Sequence, residues 1–257
     1  MSVFSTPAIL LRRTDYGDFD IITTFFTLRR GKLSLIAKSA KKSTKRFGGI
    51  LELFSVLEVV GSTGRGKGLP VLQEAALKQP FEAIRSDFRK TAYASYWAEL
   101  VHNWVEDNYR QVPLYYLLIH VLSALDNSRT PEAVLHLLFQ MRLLALTGYR
   151  PGLNSCSRCR TALEDMGREK VTVDLQRGGI LCPACAPAST SRMSLARGTI
   201  KQLLWLESGP FAKAARIKFN PEALAEGTEF LEAFVLYHLG RPPRSLKFLR
   251  QIRKEQG

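Results

Sequence analysis

The sequence is poor in acidic residues, and it lacks a long apolar run. Against 37 lysines and arginines stand 23 aspartates and glutamates, which gives 257 residues a net charge of +14. The longest apolar run, 114–125, has 12 residues and includes His120, so it is too short to span a bilayer as a helix. A charged start, apolar stretch and small-residue cleavage site, the marks of a secretory signal, are also missing. These absences predict a soluble, intracellular protein.

The basic excess is concentrated at the two ends of the chain. Residues 1–80 hold 13 basic and 6 acidic side chains, whereas residues 81–150 hold 7 of each. Residues 151–190 hold 5 and 4, and residues 191–257 hold 12 and 6. A clustered excess of this kind indicates contact with nucleic acid or, less often, with an anionic membrane surface.

Turn residues divide the first 80 residues into five short β-prone segments. The segments are 8–14, 20–28, 32–38, 51–60 and 69–77. Strands that follow one another without intervening helices are typical of a sandwich or a barrel. Five of them in this length match the OB-fold, a small barrel whose open face commonly binds oligonucleotides. We therefore predict an OB-fold domain over residues 1–80.

One loop of the predicted barrel, "KSAKKSTKRFGG" at 38–49, carries five cations and no carboxylate. Such a run also suits a solvated loop, but lysine and arginine on a barrel of this type are expected to bind phosphates without reading sequence. The residues predicted to contact nucleic-acid phosphates are Lys38, Lys41, Lys42, Lys45 and Arg46, with Arg12 and Arg13 as weaker candidates. Phe47 is expected either to stack on a base or to plug the barrel rim.

A glycine-rich stretch, "GSTGRGKG" at 61–68, matches a phosphate-binding P-loop only in part. It ends in Gly68, where a P-loop needs serine or threonine to bind magnesium. It also joins two β-prone segments, whereas a P-loop joins a strand to a helix. The predicted structure is a hairpin loop, and an ATPase is not indicated.

From Phe81 onward the apolar spacing changes from two to between three and four, which predicts helices over residues 81–257. In the first of them, one shared buried face is expected for Phe81, Ile84, Phe88, Tyr96, Leu100 and Trp104. A central bundle helix is predicted at 130–148, capped by Thr130 and ended by Gly148. Further helices are predicted from Asn220-Pro221 to Gly240 and from a capping Ser245 onward.

The four histidines are isolated from one another, and no nucleophile motif lies beside them. No paired-carboxylate motif stands in a distinctive context either. General acid–base and nucleophilic catalysis need such groups within hydrogen-bond reach of each other. The sequence therefore predicts a binding protein and not an enzyme.

All four cysteines lie in two C-x-x-C pairs, "CSRC" at 156–159 and "CPAC" at 182–185. Two such pairs offer four thiolates, which match a tetrahedral zinc site with no open position for water. An iron–sulfur cluster stays chemically open, and a redox dithiol needs only one pair. We predict an α+β protein in which residues 151–190 form a zinc module. One structural zinc ion would be bound by Cys156, Cys159, Cys182 and Cys185.

Several landmarks, taken together, resemble the RecO family of bacterial recombination mediators. They are the stretch 11–55, "YWAEL" (96–100), "TGYRPGLNSCSRC" (147–159), "GGILCPAC" (178–185) and "YHLGRPPRSLKFL" (237–249). The resemblance implies an N-terminal OB-fold, an α-helical domain and a zinc module inserted within it. Some members of the family lack the cysteines, which implies that the metal supports stability and is not the core of the function.

The resemblance also implies a role in DNA repair without a turnover site. Similar proteins bind single- and double-stranded DNA, anneal complementary strands and, with the partner RecR, help RecA displace single-strand-binding protein (SSB). The implied partners are DNA, RecR and the SSB C-terminal tail, and the implied location is cytoplasmic and nucleoid-associated in a bacterium. From the residues alone, two alternatives stay open: an OB-plus-zinc RNA-binding factor acting on ribosomes or tRNA, and a zinc-dependent nuclease.

Overall fold

The computed structural model describes residues 2–43, 46–64, 68–127, 130–167, 169–186 and 193–255. The chain forms two compact units, Met1–Ser128 with Pro243–Gly257, and Arg129–Pro242. The first unit contains a closed β-barrel with helices, and the second contains helices with a small sheet. The predicted α+β architecture is confirmed. Within the described ranges, no helix combines the length and the apolar character needed to cross a membrane.

Predicted domains and observed compact units are different divisions of the chain. The prediction separates residues 1–80 from 81–257 on the basis of apolar spacing, and it sets 151–190 apart as an insertion on the basis of the cysteine pairs and the family resemblance. The observed units group segments by their contacts, and the C-terminal segment Pro243–Gly257 belongs to the first unit. Grouping by contacts does not test whether residues 1–80 fold independently of the rest of the chain. The predicted domain boundaries therefore stay a prediction.

Five strands close into the barrel of the first unit in the order β1-β2-β3-β5-β4. They are β1 (Ser2–Tyr16), β2 (Asp20–Thr27), β3 (Gly31–Ala37), β4 (Val56–Thr63) and β5 (Val71–Gln79). Neighbouring strands are antiparallel except β3 and β5, which meet in parallel. Closure pairs each strand on both sides, so that the barrel has no open edge. The predicted five-stranded OB-like barrel is confirmed.

The first and fourth strands depart most from their predicted bounds. The first strand starts at Ser2 instead of residue 8, because its first eight residues pair with β4. The fourth starts at Val56 instead of residue 51, because Phe54 has a left-handed backbone with a φ of +71° that interrupts the strand conformation. The Phe54 N–H instead donates to the carbonyl of Leu10 at 2.8 Å.

The barrel interior is filled by apolar side chains from all five strands. They include Leu10, Phe25, Leu35, Leu57, Val59 and Leu72, each fully buried. The turn between β2 and β3 needs Gly31, whose φ is +67°, and a Cβ there would lie 2.1 Å from the backbone oxygen of Tyr109. This close approach fixes the turn against the segment that follows α2 (Phe88–Trp104).

In chain order the other helices are α1 (Glu82–Arg85), α3 (Val112–Asn127), α4 (Glu132–Leu146), α5 (Arg197–Ser208), α6 (Phe211–Ala214), α7 (Pro221–Leu239) and α8 (Arg244–Lys254). The single buried face predicted for residues 81–104 is wrong at Phe88, which is 80% exposed. The chain breaks between α1 and α2, and the Asp87 side chain caps α2 by accepting the N–H groups of Arg89 and Lys90. Phe88 is therefore the first residue of a new helix.

The N-terminus of α8 is capped from another helix. The predicted cap, Ser245, lies inside α8, so that prediction is wrong. The carboxylate of Glu99, on α2, accepts the backbone N–H groups of Arg244 and Ser245 at 2.9 and 2.8 Å, and the Ser245 hydroxyl also donates to it. Burial acts to raise the pKa of Glu99, but these hydrogen bonds outweigh it and lower the pKa.

Replacing Glu99 with glutamine is expected to lower the free energy of unfolding at neutral pH by about 1–2 kcal/mol, because charge-assisted bonds to the α8 N-terminus become neutral ones. A carboxylate whose pKa is lower in the folded than in the unfolded protein stabilises the fold fully at any pH above its unfolded-state pKa. This stabilisation is lost as the pH falls through the folded-state pKa. The difference between wild type and Glu99→Gln should therefore shrink in acid. Urea denaturation at pH 7 and pH 3 measures it, with the exposed Glu106→Gln as control; equal stabilities of wild type and Glu99→Gln at pH 7 would contradict the assignment.

The second unit is built around α4, ten of whose side chains are buried and which packs on α5 and α7. The predicted central helix is confirmed, although its N-cap position belongs to Pro131, one residue after Thr130. The Asn220 side chain accepts the Ala223 N–H at 2.7 Å at the start of α7, and Gly240 ends α7 with a φ of +72°, as predicted.

Four short strands form the sheet of the second unit, in the order β6-β8-β7-β9. They are β6 (Gly152–Cys156), β7 (Lys170–Asp174), β8 (Gly179–Leu181) and β9 (Ser194–Ala196), and a single 3-10 turn lies at Leu163–Asp165. Both cysteine pairs belong to this sheet region, one at the end of β6 and the other after β8. The sheet is the frame that holds the cysteines.

Candidate functional site

The first part of the basic loop (residues 38–49), its described residues 38–43, packs on the hairpin tip between β1 and β2, residues 15–20. The Lys41 N–H donates to the carbonyl of Phe19 at 3.0 Å, and the Ser39 N–H donates to the carboxylate of Asp20 at 2.7 Å. Two segments separated by about twenty residues in sequence thereby form one surface at this end of the barrel. Four of the predicted cations in the loop, Lys38, Lys41, Lys42 and Arg46, are exposed there. The fifth, Lys45, lies outside the described residues.

Three of these cations are oriented by local contacts. Lys41 Nζ lies 3.3 Å from a carboxylate oxygen of Asp15 and donates to the carbonyl of Gly17 at 3.1 Å. Lys42 Nζ lies 3.4 Å from the centroid of the Phe19 ring. Arg46 donates to the backbone carbonyl of Lys38 at 3.2 Å. The loop contains no carboxylate, but Asp15 from the hairpin tip offsets part of its charge.

Arg12 and Arg13 are exposed on β1 but differ in their surroundings. Arg13 donates to the carbonyl of Leu51 at 3.3 Å and lies 4.0 Å from the carboxylate of Glu52. Arg12 contributes to the electrostatics of His102 on α2: burial, then the positive charges of Lys32 and Arg12, lower the pKa of that histidine. The structure therefore places Arg13 beside the segment that precedes β4.

The exposed aromatic residues of this surface were missed by the sequence reasoning. Phe47 is only 4% exposed and belongs to the barrel core, so the structure supports the plugging role for it. Tyr16 is 55% exposed and Phe19 is 44% exposed, both at the hairpin tip. Their sequence signal is a pair of aromatics in the otherwise polar turn "DYGDF", where Gly17 adopts a left-handed φ of +57°.

The structure brings the four predicted metal ligands together in the second unit. The Sγ atoms of Cys156, Cys159, Cys182 and Cys185 all lie within 4.8 Å of one another, and those of Cys159 and Cys182 are 3.5 Å apart. In a tetrahedral zinc site with Zn–S distances of about 2.3 Å, the sulfurs would be about 3.8 Å apart. Within the described residues, this is the one group of at least three cysteine, histidine or acidic side chains placed to share an ion.

Backbone geometry explains how the two pairs meet. Strands β6 and β8 run in parallel, and the Gly152 N–H donates to the Gly178 carbonyl at 2.8 Å. A Cβ on Gly179 would lie 2.5 Å from the carbonyl oxygen of Gly152, so only glycine allows this approach. In the first pair the Arg160 N–H donates to the Cys156 carbonyl, and in the second pair the Cys185 N–H donates to the Cys182 carbonyl, both at 3.0 Å.

The electrostatics of the cluster fit a bound dication. The Thr161 hydroxyl lies 3.0 Å from the sulfur of Cys159. Hydrogen bonds from this hydroxyl, from the Thr161 backbone and from the neighbouring thiols lower the pKa of Cys159 to about 6. Desolvation and the neighbouring thiols raise the pKa of Cys185 to about 12. A dication beside the four sulfurs would favour their thiolate forms and offset the repulsion among them. The donor set, four soft sulfurs in a closed cluster, fits structural zinc.

Comparison with known proteins identifies the family. Residues 1–81 match the family described as Recombination protein O N terminal, and residues 85–247 match Recombination protein O C terminal. A protein named DNA repair protein RecO from Desulfatibacillum aliphaticivorans is 46% identical over 99% of both chains. Proteins of the same name from Desulfosudis oleivorans and Dehalococcoides mccartyi are 43% and 31% identical, over 98% and 97% of this chain and 99% and 96% of theirs. The chain therefore belongs to the RecO family.

Proposed function

We propose that this protein is a DNA-binding recombination mediator in DNA repair. It binds single- and double-stranded DNA through the basic loop and hairpin tip, anneals complementary strands and, with RecR, helps load RecA on SSB-coated single strands. The observation that carries the proposal is one exposed surface, on an OB-like barrel, that combines four cations with two aromatic rings. Membership of the RecO family supports the same conclusion.

The cations of this surface suit a polyanion without sequence readout. Annealing requires two strands of negative charge to be held together, and fixed positive charge screens their repulsion. The contacts from Lys41 to Gly17 and from Arg46 to Lys38 orient the side chains before DNA arrives, which lowers the entropy lost on binding. Base pairing between the two strands then supplies the specificity, so the protein need only bind the backbone.

The aromatic rings suit unpaired bases. Every base has a face that stacks on an aromatic ring, so stacking adds affinity for single strands without preference among bases. Tyr16 is the more exposed ring, whereas one face of Phe19 is in contact with Lys42. These contacts do not distinguish DNA from RNA, and the family's repair role is the reason for proposing DNA.

The partners and the metal of the proposal have different supports. RecR and the SSB C-terminal tail follow from the family resemblance, and the basic excess of residues 191–257 supplies cations for an acidic tail. Zinc follows from the geometry and chemistry of the cysteine cluster, which would hold one ion through Cys156, Cys159, Cys182 and Cys185. Such an ion supplies stability to the β6–β9 sheet and takes no part in a reaction.

Replacing Tyr16 with alanine tests the assignment of this surface. Loss of one stacked base costs about 1–3 kcal/mol, so single-strand affinity should fall by roughly 5- to 150-fold. Duplex affinity should change less, because paired bases already stack on one another. Fluorescence anisotropy with a labelled single strand and its duplex measures both, and Phe88→Ala, an exposed aromatic of the same unit, serves as control. Equal affinities for wild type and Tyr16→Ala would remove the hairpin tip from the interface.

A further inference from the structure

We propose that the second unit carries its own oxyanion site beside the cysteine cluster, and that this site binds phosphates of a DNA strand. The site, which we call the arginine pocket, is a cavity of about 380 Å³ lined by Arg150, Arg160, Arg177, Asn154, Ser155 and Ser157, together with backbone of neighbouring residues. The inference rests on the proposed DNA-binding function and adds to it a second place of contact.

The arginine pocket is positively charged, and its three arginines differ in how far nearby carboxylates offset their charge. No carboxylate is among its lining residues. Arg150 Nε lies 2.9 Å from a carboxylate oxygen of Glu207, and Arg177 Nε lies 3.6 Å from one of Asp174, so these two guanidinium groups are fixed and partly compensated. Arg160 is exposed and, among the described residues, has no carboxylate within 4 Å. The uncompensated charge of the pocket is therefore that of Arg160.

The backbone of Arg160 supports a binding role for its side chain. Arg160 adopts a left-handed conformation with a φ of +66°. It directly follows the first cysteine pair, Cys156 and Cys159, and directly precedes Thr161. Glycine adopts this conformation without strain, whereas a residue with a Cβ does so at a cost of about 1 kcal/mol or more. Hydrogen bonds on both sides hold the turn, from the Arg160 N–H to the Cys156 carbonyl and from the Cys156 N–H to the Thr161 carbonyl. The turn therefore holds Arg160 in place among the lining residues of the pocket, where a bound anion would be contacted by its guanidinium group.

The polar groups of the pocket indicate a phosphate and not an acidic peptide. Ser155, Ser157 and Asn154, which line the pocket, carry hydroxyl and amide groups that can donate hydrogen bonds to phosphate oxygens, and guanidinium groups bind phosphate in bidentate fashion. An acidic peptide with apolar end residues needs an apolar groove beside the cation. The one apolar residue in the lining, Pro151, is buried. A phosphodiester is therefore the ligand chemistry that the pocket fits.

A double variant, Arg160→Gly with Arg177→Ala, tests the arginine pocket. Glycine relieves the left-handed backbone at 160, and alanine keeps the Arg177 N–H that donates to Asp174, so the fold is preserved. If each arginine contacts one phosphate, the slope of log K against log[salt] for a single strand should become shallower by about 1.4. Arg158→Ala, an exposed arginine in the same cysteine turn but outside the pocket lining, should leave the slope unchanged.

The outcomes separate this inference from the proposed function. Wild type that fails to bind DNA would overturn both. Wild type that binds, with an unchanged slope in the double variant, would overturn the arginine pocket alone. A double variant that loses affinity for an acidic peptide but keeps the wild-type salt dependence of DNA binding would likewise overturn the assignment of the arginine pocket to phosphate. If the double variant loses metal, the single variant Arg177→Ala, whose substitution lies outside the cysteine turn, replaces it in the test. Its slope of log K against log[salt] should be shallower than that of wild type by about 0.7, and an unchanged slope would overturn the arginine pocket.

Discussion

Replacing Cys182 with serine is expected to remove the metal and to lower the melting temperature of the second unit. Cys182 is almost fully buried, and its sulfur lies 3.5 Å from that of Cys159. Serine leaves three thiols in a cluster built for four, with a hydroxyl that binds zinc poorly. Structural zinc contributes about 10–16 kcal/mol of apparent binding free energy in small zinc peptides, so even a partial loss is large for one domain.

The expected size of this effect follows from the same figure. We take the lost stabilisation as about 3 kcal/mol, roughly a quarter of that binding free energy. For a chain of this length, such a loss lowers the melting temperature by about 6–12 °C. Wild type should contain about one zinc per chain, a ratio that elemental analysis gives directly. Thr172→Ala, on β7 of the same sheet, is the control and should keep its metal. Wild type without metal, or a Cys182→Ser variant that melts with wild type, would exclude a structural zinc site.

Affinity for DNA should depend much less on the metal than on the basic loop. The loop and the hairpin tip belong to the first unit, whereas all four cysteines belong to the second. The Cys182→Ser variant could lose the DNA contacts of the arginine pocket, because Arg160 of that pocket belongs to the same turn as Cys156 and Cys159. We therefore expect the variant to lose at most the part of the salt dependence that the arginine pocket supplies.

Replacing the four described cations of the basic loop with alanine is expected to reduce single-strand affinity at 0.1 M salt by roughly 10²–10³, if each of the four contacts a phosphate. The variant is Lys38→Ala, Lys41→Ala, Lys42→Ala and Arg46→Ala. All four residues are exposed, so circular dichroism should be unchanged. Because Asp15 already offsets part of the Lys41 charge, Lys41 should contribute less than its neighbours.

The matched control for the loop variant removes the same charge elsewhere. Lys201, Lys213, Arg216 and Lys218 are exposed residues of the second unit, and replacing them with alanine changes the net charge by the same amount. If only the total charge of the protein mattered, both variants would lose the same affinity. We expect the loop variant to lose much more, because bound phosphates release counterions only where the cations contact them.

The barrel could be predicted from the sequence because its signals are local. Period-two alternation and turn residues indicate strands wherever they occur, and Gly31 marks a turn that the structure contains. The errors fall where a distant residue decides the outcome. Glu99 caps α8 from across the first unit, a contact between residues 145 positions apart, so the sequence around Ser245 carries no sign of it.

The two candidate sites divide in the same way. The cysteines were predicted because C-x-x-C spacing is a local requirement of the metal. The arginine pocket was not predicted, because Arg150, Arg160 and Arg177 come together only through the parallel pairing of β6 with β8. The exposed rings of Tyr16 and Phe19 were missed for a related reason: an aromatic residue next to a strand suggests core, and only the turn geometry shows that these two lie outside it.

A salt titration of single-strand binding tests the central claim, that the basic loop binds phosphates. Affinities of wild type, loop variant and control for one labelled oligonucleotide are measured from low to moderate salt and plotted as log K against log[salt]. The loop variant should show a slope shallower than that of wild type by about 3, at 0.7 for each of four contacts, and the control should match wild type. Equal slopes for wild type and loop variant would show that the cations of the loop do not contact DNA.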